Sequence, residues 1–150
     1  MFSYKYPLKV VSYLEKLNFK LYRSNTFTDN NIVGYLDIDI DFADKGKDPR
    51  RIILNSKYSV EEQRWAIAYL IAKYKLEFSE SSRIRSYHSE YRIGDNEYFN
   101  FAFRIVAPDN AYNRTYKKFY RKTKSLVDTI VELHKYFGIP ARIIKEKIVE

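Results

Sequence analysis

A chain of 150 residues with 45% hydrophobic and 17% aromatic side chains is long and apolar enough to bury a real core, which excludes an intrinsically disordered polymer. Cysteine is absent, so disulfides, thiol catalysis and Cys-type zinc sites are excluded, and a cytoplasmic address fits. The net charge of +8 is uneven: residues 1–80 carry 13 basic and 11 acidic side chains, whereas residues 81–150 carry 14 and 8.

That imbalance makes the second half a candidate for contact with nucleic acid or an acidic protein surface. No uninterrupted apolar run approaches the ~18 residues that a membrane-spanning helix needs. The opening MFSYKYPLKVVSYLEKL has charges inside its apolar pattern and no small-residue cleavage site, unlike a signal peptide. With four glycines, four prolines, no repeat and no low-complexity tract, residues 1–150 read as one domain.

In chain order, Pro7 suits a first helical turn, and Leu8, Val11, Leu14 and Leu17 follow at helical spacing, with Asn18 closing the helix in a left-handed conformation. Phe19–Tyr22 reads as a short strand. In Tyr35–Phe42, Leu36, Ile38, Ile40 and Phe42 alternate with Asp37, Asp39 and Asp41, the period of a half-buried strand. A turn-rich ADKGKDP then leads to a partner strand over Arg51–Asn55, predicting a β-hairpin.

Ser59 followed by Glu62 forms a capping box, and WAIAYLIA (Trp65–Ala72) is apolar or aromatic without a break. A helix with no polar stripe is buried on most sides, so this one is predicted to be central. Residues 79–94 are polar and read as a loop or short hairpin. Asp95 is placed to cap a helix bearing Phe99, Phe101, Ala102, Ile105 and Val106 and ended by Pro108. A further helix runs from about Ser125 to Phe137 with Gly138 after it, and Pro140 opens a short last one. The expectation is a mainly helical α+β domain, with a small sheet or hairpin packed on a central buried helix.

Three segments in this order carry a resemblance: RRIILNSKYSVEEQRWAIAYLIAKYKLEF (50–78), EYFNFAFRIVAP (97–108) and YFGIPARIIKEKI (136–148). Together they resemble the ImmA/IrrE zinc metallopeptidases. There, a strand ending in Asn leads to a helix of the form RxxFTIAHELGHxLLH, a second helix reads ExANxFAxxLLMP, and a later segment reads FGVSxxAVxxRL. The resemblance spans roughly residues 50–148 and implies a zincin-like fold.

The departures from the family pattern remove its chemistry. Zinc needs two histidines one helical turn apart and a glutamate beside the first to deprotonate the bound water. The HExxH stretch is replaced here by Tyr69-Leu70-Ile71-Ala72-Lys73, so the ligand positions hold Tyr69 and Lys73 and the base position holds Leu70. Only Glu97, aligned with the family's carboxylate ligand, remains. No metal or other cofactor is implied, and the alignment predicts a Lys73–Glu97 pair with a Tyr69 hydrogen bond in the vestigial site. His88 and His134 have no histidine or cysteine nearby in sequence and read as ordinary histidines.

Two other features bear on function. Asp37, Asp39 and Asp41 would lie ~7 Å apart along one strand face, which reads as a charged edge rather than a cation site, with Arg50 and Arg51 available across the hairpin. RTYKKFYRKTK (114–124) holds Arg114, Lys117, Lys118, Arg121, Lys122 and Lys124 around Tyr116, Phe119 and Tyr120, with no acid. As a helix it would pack its aromatics inward and leave its cations as a contact surface. By resemblance, the expected function is that of a catalytically inactive metallopeptidase-like protein encoded by a phage or mobile element. It would bind a repressor, another regulator or a host defence protein stoichiometrically, as antagonist, inhibitor or scaffold. The alternative is a nucleic-acid-binding regulator using the basic C-terminal half.

Overall fold

The structure is a computed structural model that describes residues 7–78 and 85–149. Its elements are α1 (Pro7–Lys16), β1 (Lys20–Ser24), β2 (Ile32–Asp39), α2 (Asp41–Asp44), β3 (Arg50–Asn55), α3 (Val60–Glu77), β4 (Ser86–Arg92), α4 (Phe99–Val106), α5 (Asp109–Thr123), α6 (Leu126–Phe137) and α7 (Ala141–Val149). The fold is α+β and mainly helical, with one mixed four-stranded sheet in the order β1-β3-β2-β4. β1 runs parallel to β3, while β2 runs antiparallel to both β3 and β4.

α3 is central, as its sequence requires. Ser59 caps it by accepting the Glu62 N–H, and every residue from Trp65 to Ala72 is buried. One side meets the sheet, where Leu36, Ile38, Ile52 and Leu54 point inward, and another meets α4 through Phe99, Ala102 and Phe103. The buried residues form one core cluster, reaching from Val10 in α1 to Ile144 in α7.

Gly34 marks a close approach between β2 and its neighbour β3 within the sheet. It sits beside an irregularity in the β2–β4 register, and a Cβ there would lie 2.9 Å from Leu54 Cδ2 and 3.1 Å from the Ile53 carbonyl oxygen.

Several sequence expectations hold and others need correction. Asn18 is left-handed (φ 60°), and α6 begins with Ser125 accepting the Asp128 N–H and ends at left-handed Gly138. Leu14 is buried and Leu17 partly so, while the side chains of Leu8 and Val11 lie outside the described residues. The second strand starts earlier than its alternation suggested and stops at Asp39. Asp41 begins a helical turn instead, so Ile40 is exposed and Phe42 packs its ring on the Arg51 guanidinium at 4.4 Å.

The polar stretch over 79–94 contains an edge strand, β4, whose Tyr87, Ser89 and Tyr91 face the core; residues 79–84 lie outside the described ones. Asp95 does not cap α4. Its carboxylate accepts the Arg92 N–H and closes the turn after β4.

The last helix is tied back to the centre by charge. Arg142 on α7 donates two hydrogen bonds to Glu62 on α3 (3.0 and 2.7 Å) and one to the Tyr91 hydroxyl on β4 (3.2 Å). Burial pulls on its charge, but these partners more than offset it and hold the guanidinium protonated.

Replacing Arg142 by Leu leaves the Glu62 carboxylate, 15% exposed, without its partner. Denaturant titration is expected to show a loss of about 1–2 kcal/mol, the usual range for charge-assisted bonds discounted for partial solvent access. Gly34→Ala is expected to cost about 1–3 kcal/mol because the Leu54 contact is overpacked. A melting temperature equal to wild type in either variant would contradict the respective packing.

Candidate functional site

The candidate site lies along α3, at Tyr69, Leu70 and Lys73, the positions singled out in the sequence. Tyr69 is buried (3% exposed) among aromatic rings: Tyr91 at 4.7 Å, Tyr98 at 5.9 Å and Trp65 at 6.5 Å between centroids. Its hydroxyl accepts the Tyr98 N–H at 3.4 Å, fixing the turn that precedes α4. Burial pushes the Tyr69 phenol up to about 12, despite the Tyr98 bond acting in the opposite direction. Leu70 is fully buried and faces the sheet, with a methyl 3.7 Å from where a Cβ on Gly34 would be. A carboxylate at position 70 would sit in this helix–sheet seam with heavy desolvation.

The expected Lys73–Glu97 pair does not form. Glu97 is exposed, and it shares neither an ion pair nor a hydrogen bond with Lys73, which is half-buried. The Tyr98 N–H bond to Tyr69 turns the backbone of this loop toward α3 and leaves the preceding carboxylate in solvent.

A carboxylate one turn beyond Lys73 organises the region instead. Glu77 accepts the Tyr87 hydroxyl at 2.6 Å and the Tyr98 hydroxyl at 3.2 Å. Burial, reinforced by the Glu77 bond, raises the Tyr87 phenol far above its ordinary value. A tyrosine–carboxylate network thus joins the end of α3 to β4 and to the turn before α4. Sequence reasoning missed Glu77, Tyr87, Tyr91 and Tyr98; the period-two spacing of Tyr87, Ser89 and Tyr91 was the available signal.

Among the described residues, no group of three or more His, Asp or Glu side chains is placed to hold a metal ion. The aspartate row is dispersed: Asp37 pairs with Arg51 at 2.6 Å, Asp39 accepts the Asp41 N–H, and Asp41 faces Arg85 at 3.9 Å. Arg50 joins no aspartate. It donates to the Leu17 carbonyl and the Tyr74 hydroxyl while lying 4.4 Å from the Phe19 ring centroid. His88 is half-exposed beside Asp37 and Glu90, and His134 Nδ1 donates to the Ile139 carbonyl oxygen, bracing the α6–α7 turn.

The second candidate is α5. Arg114, Lys117, Lys118, Arg121 and Lys122 follow one another at i, i+3, i+4, i+7 and i+8, so they share one face, and all five are exposed. None forms an ion pair among the described residues. The opposite face packs Tyr112, Tyr116 and Phe119 on the core, as the inward reading of the aromatics requires. Tyr120 departs from that reading: it is 45% exposed and stacks on Tyr116 with their planes 4° apart. Lys124 ends the helix in the left-handed region (φ 54°), a conformation that favours glycine.

A phenol with a raised folded pKa stabilises the protein below its unfolded value and loses that contribution as pH rises through the folded one. Stability is therefore expected to fall between pH 10.0, the ordinary tyrosine value, and about 12, with Tyr69 and Tyr112 both pushed up to about 12 by burial. Tyr69→Phe should flatten part of this alkaline loss and cost about 0.5–1.5 kcal/mol at neutral pH through the Tyr98 bond. Tyrosinate absorbance followed beside helical circular dichroism checks both. Comparison with protein-family models, curated proteins and solved structures finds no match to this chain.

Proposed function

We propose that this protein is a catalytically inactive relative of the ImmA/IrrE-type metallopeptidases that works by stoichiometric binding. Its partner on this reading is a regulatory or defence protein, and its origin a phage or other mobile element. One observation carries the non-catalytic part. The positions aligned with two zinc ligands and the general base hold Tyr69, Lys73 and Leu70, two of them buried in packed apolar surroundings. Phenol, ammonium and alkyl groups offer neither a neutral imidazole to the metal nor a base to the water.

The order of elements supports the zincin-like part of the reading. A strand ending at Asn55 feeds the buried helix α3, and α4 packs along it. The cationic face of α5 is the surface assigned to the partner, since complementary charge steers encounter and excludes wrong partners.

A nucleic-acid-binding role is the second reading, favoured by that same face. Like charges one helical turn apart cost a helix about 0.2–0.5 kcal/mol per pair. Arg114/Lys118, Lys117/Arg121 and Lys118/Lys122 are three such pairs with no counter-ion side chain among the described residues. A polyanion would remove that repulsion.

The inactive-binder reading is tested by zinc analysis of the purified protein and by recovery of its complex from the native host. Substoichiometric zinc after metal loading is expected, with a partner that stays intact during incubation and elutes at one copy per chain. One tightly held zinc, or a partner cleaved in a chelator-sensitive way, would overturn it.

A further inference from the structure

An open groove of about 480 Å3 lies between α4, α5 and α7, lined by Asn100, Arg104, Tyr112, Asn113, Tyr116 and Lys147. Its size is that of a small-ligand site, and its lining is cationic, amide-bearing and aromatic, with no carboxylate. Arg104 also faces Asp109 at 3.6 Å, both well exposed. The aromatic wall continues past the groove: Tyr116 stacks on Tyr120, whose ring remains open to solvent. Lys117 follows Tyr116 directly, and Lys124 stands one turn beyond Tyr120 in its left-handed conformation.

From this arrangement we infer that the groove and the adjoining Tyr116–Tyr120 platform bind a nucleotide unit of single-stranded nucleic acid. The parts match what such a ligand presents. An exposed ring parallel to its neighbour offers a face for a base to stack on. Arg104, facing Asp109 in solvent, and Lys147, whose ammonium lies 5.3 Å from the Phe103 ring centroid, are cations for its phosphate, with the guanidinium able to fork across two oxygens. The amides of Asn100 and Asn113 each bring a donor and an acceptor to a base edge. Lys117 and Lys124 carry the flanking phosphates along α5. A duplex hides its bases in the stack, so the platform selects for single strands. The inference rests on the nucleic-acid reading of the basic face and adds where the base goes.

The test is fluorescence anisotropy with labelled single- and double-stranded RNA and DNA of about twelve nucleotides, within the site sizes of single-strand binders, titrated across salt. The variants are Tyr120→Ala, Tyr120→Trp, the pair Arg104→Gln/Lys147→Gln, and a fourfold glutamine variant at Lys117, Lys118, Arg121 and Lys122. All but Lys147, which is half-buried with its ammonium 5.3 Å from the Phe103 ring centroid, are exposed positions, and unchanged melting temperatures confirm the fold.

Single strands are expected to bind more tightly than duplex. Tyr120→Ala should lose about tenfold in affinity and Tyr120→Trp should keep it. The Arg104/Lys147 pair should lower the slope of log affinity against log salt by about 1.4, at about 0.7 per cation. If only the fourfold variant loses binding, the nucleic-acid reading stands and the groove proposal fails. If polyglutamate competes as well as the oligonucleotides and Tyr120→Ala is neutral, the surface takes acidic protein and the proposal also fails. No binding of any oligonucleotide near physiological salt would overturn both.

Discussion

The constraint on which the rest depends is the burial of α3 on nearly all sides. Eight consecutive residues, Trp65 to Ala72, have no water-facing stripe, so the helix is stable only when other elements cover it. The sheet covers one side and α4 another, and α1 meets both helices. This explains why Leu70 is a hydrocarbon: it is fully buried in the seam between helix and sheet, in reach of Gly34 on β2.

Polar groups around α3 are confined to its ends, and each serves a join. At the N-terminal end Glu62 receives Arg142 from α7, while Gln63 accepts from Arg23 on β1 and donates to the Tyr58 carbonyl. At the C-terminal end Glu77 gathers Tyr87 and Tyr98, and Tyr74 accepts from Arg50 on β3. The middle of the helix, Trp65 to Ala72, is buried throughout. Tyr69 is the exception that fits the rule: its one oxygen accepts a backbone N–H, and the rest of it packs as a ring.

What was legible in the sequence is what local chemistry fixes. Ser59 caps its helix, Asn18 and Gly138 close theirs, and the unbroken WAIAYLIA run announces the central helix. What was not legible depends on distant partners. β4 is polar on its open face, and its existence follows from pairing with β2, 50 or so residues earlier in the chain as a rough count. Asp95 had two local donors within reach and satisfied Arg92 instead of α4. The Lys73–Glu97 pair failed for a related reason. Spacing places two residues on facing elements, but the loop hydrogen bond to Tyr69 decides which side chain of the turn faces inward.

α5 shows the opposite balance between local and distant determinants. Its aromatic arc is accounted for by packing against the core and α6, through Tyr112–Phe137 and Phe119–Tyr136 contacts. Its cationic arc has no carboxylate partner among the described residues, its five side chains repel one another, and the helix ends at Lys124 in a backbone conformation where glycine would be relaxed. Left-handed non-glycine residues cost about 1 kcal/mol or more and concentrate where function overrides stability. The like charges along this arc and the left-handed Lys124 are local costs, offset in part by the Lys124 N–H bond to the Tyr120 carbonyl oxygen at 2.8 Å. Tyr120 adds an exposed ring beside the cations, so charge and an open aromatic face meet on the same side of the helix, and the two partner readings differ in which of them they use.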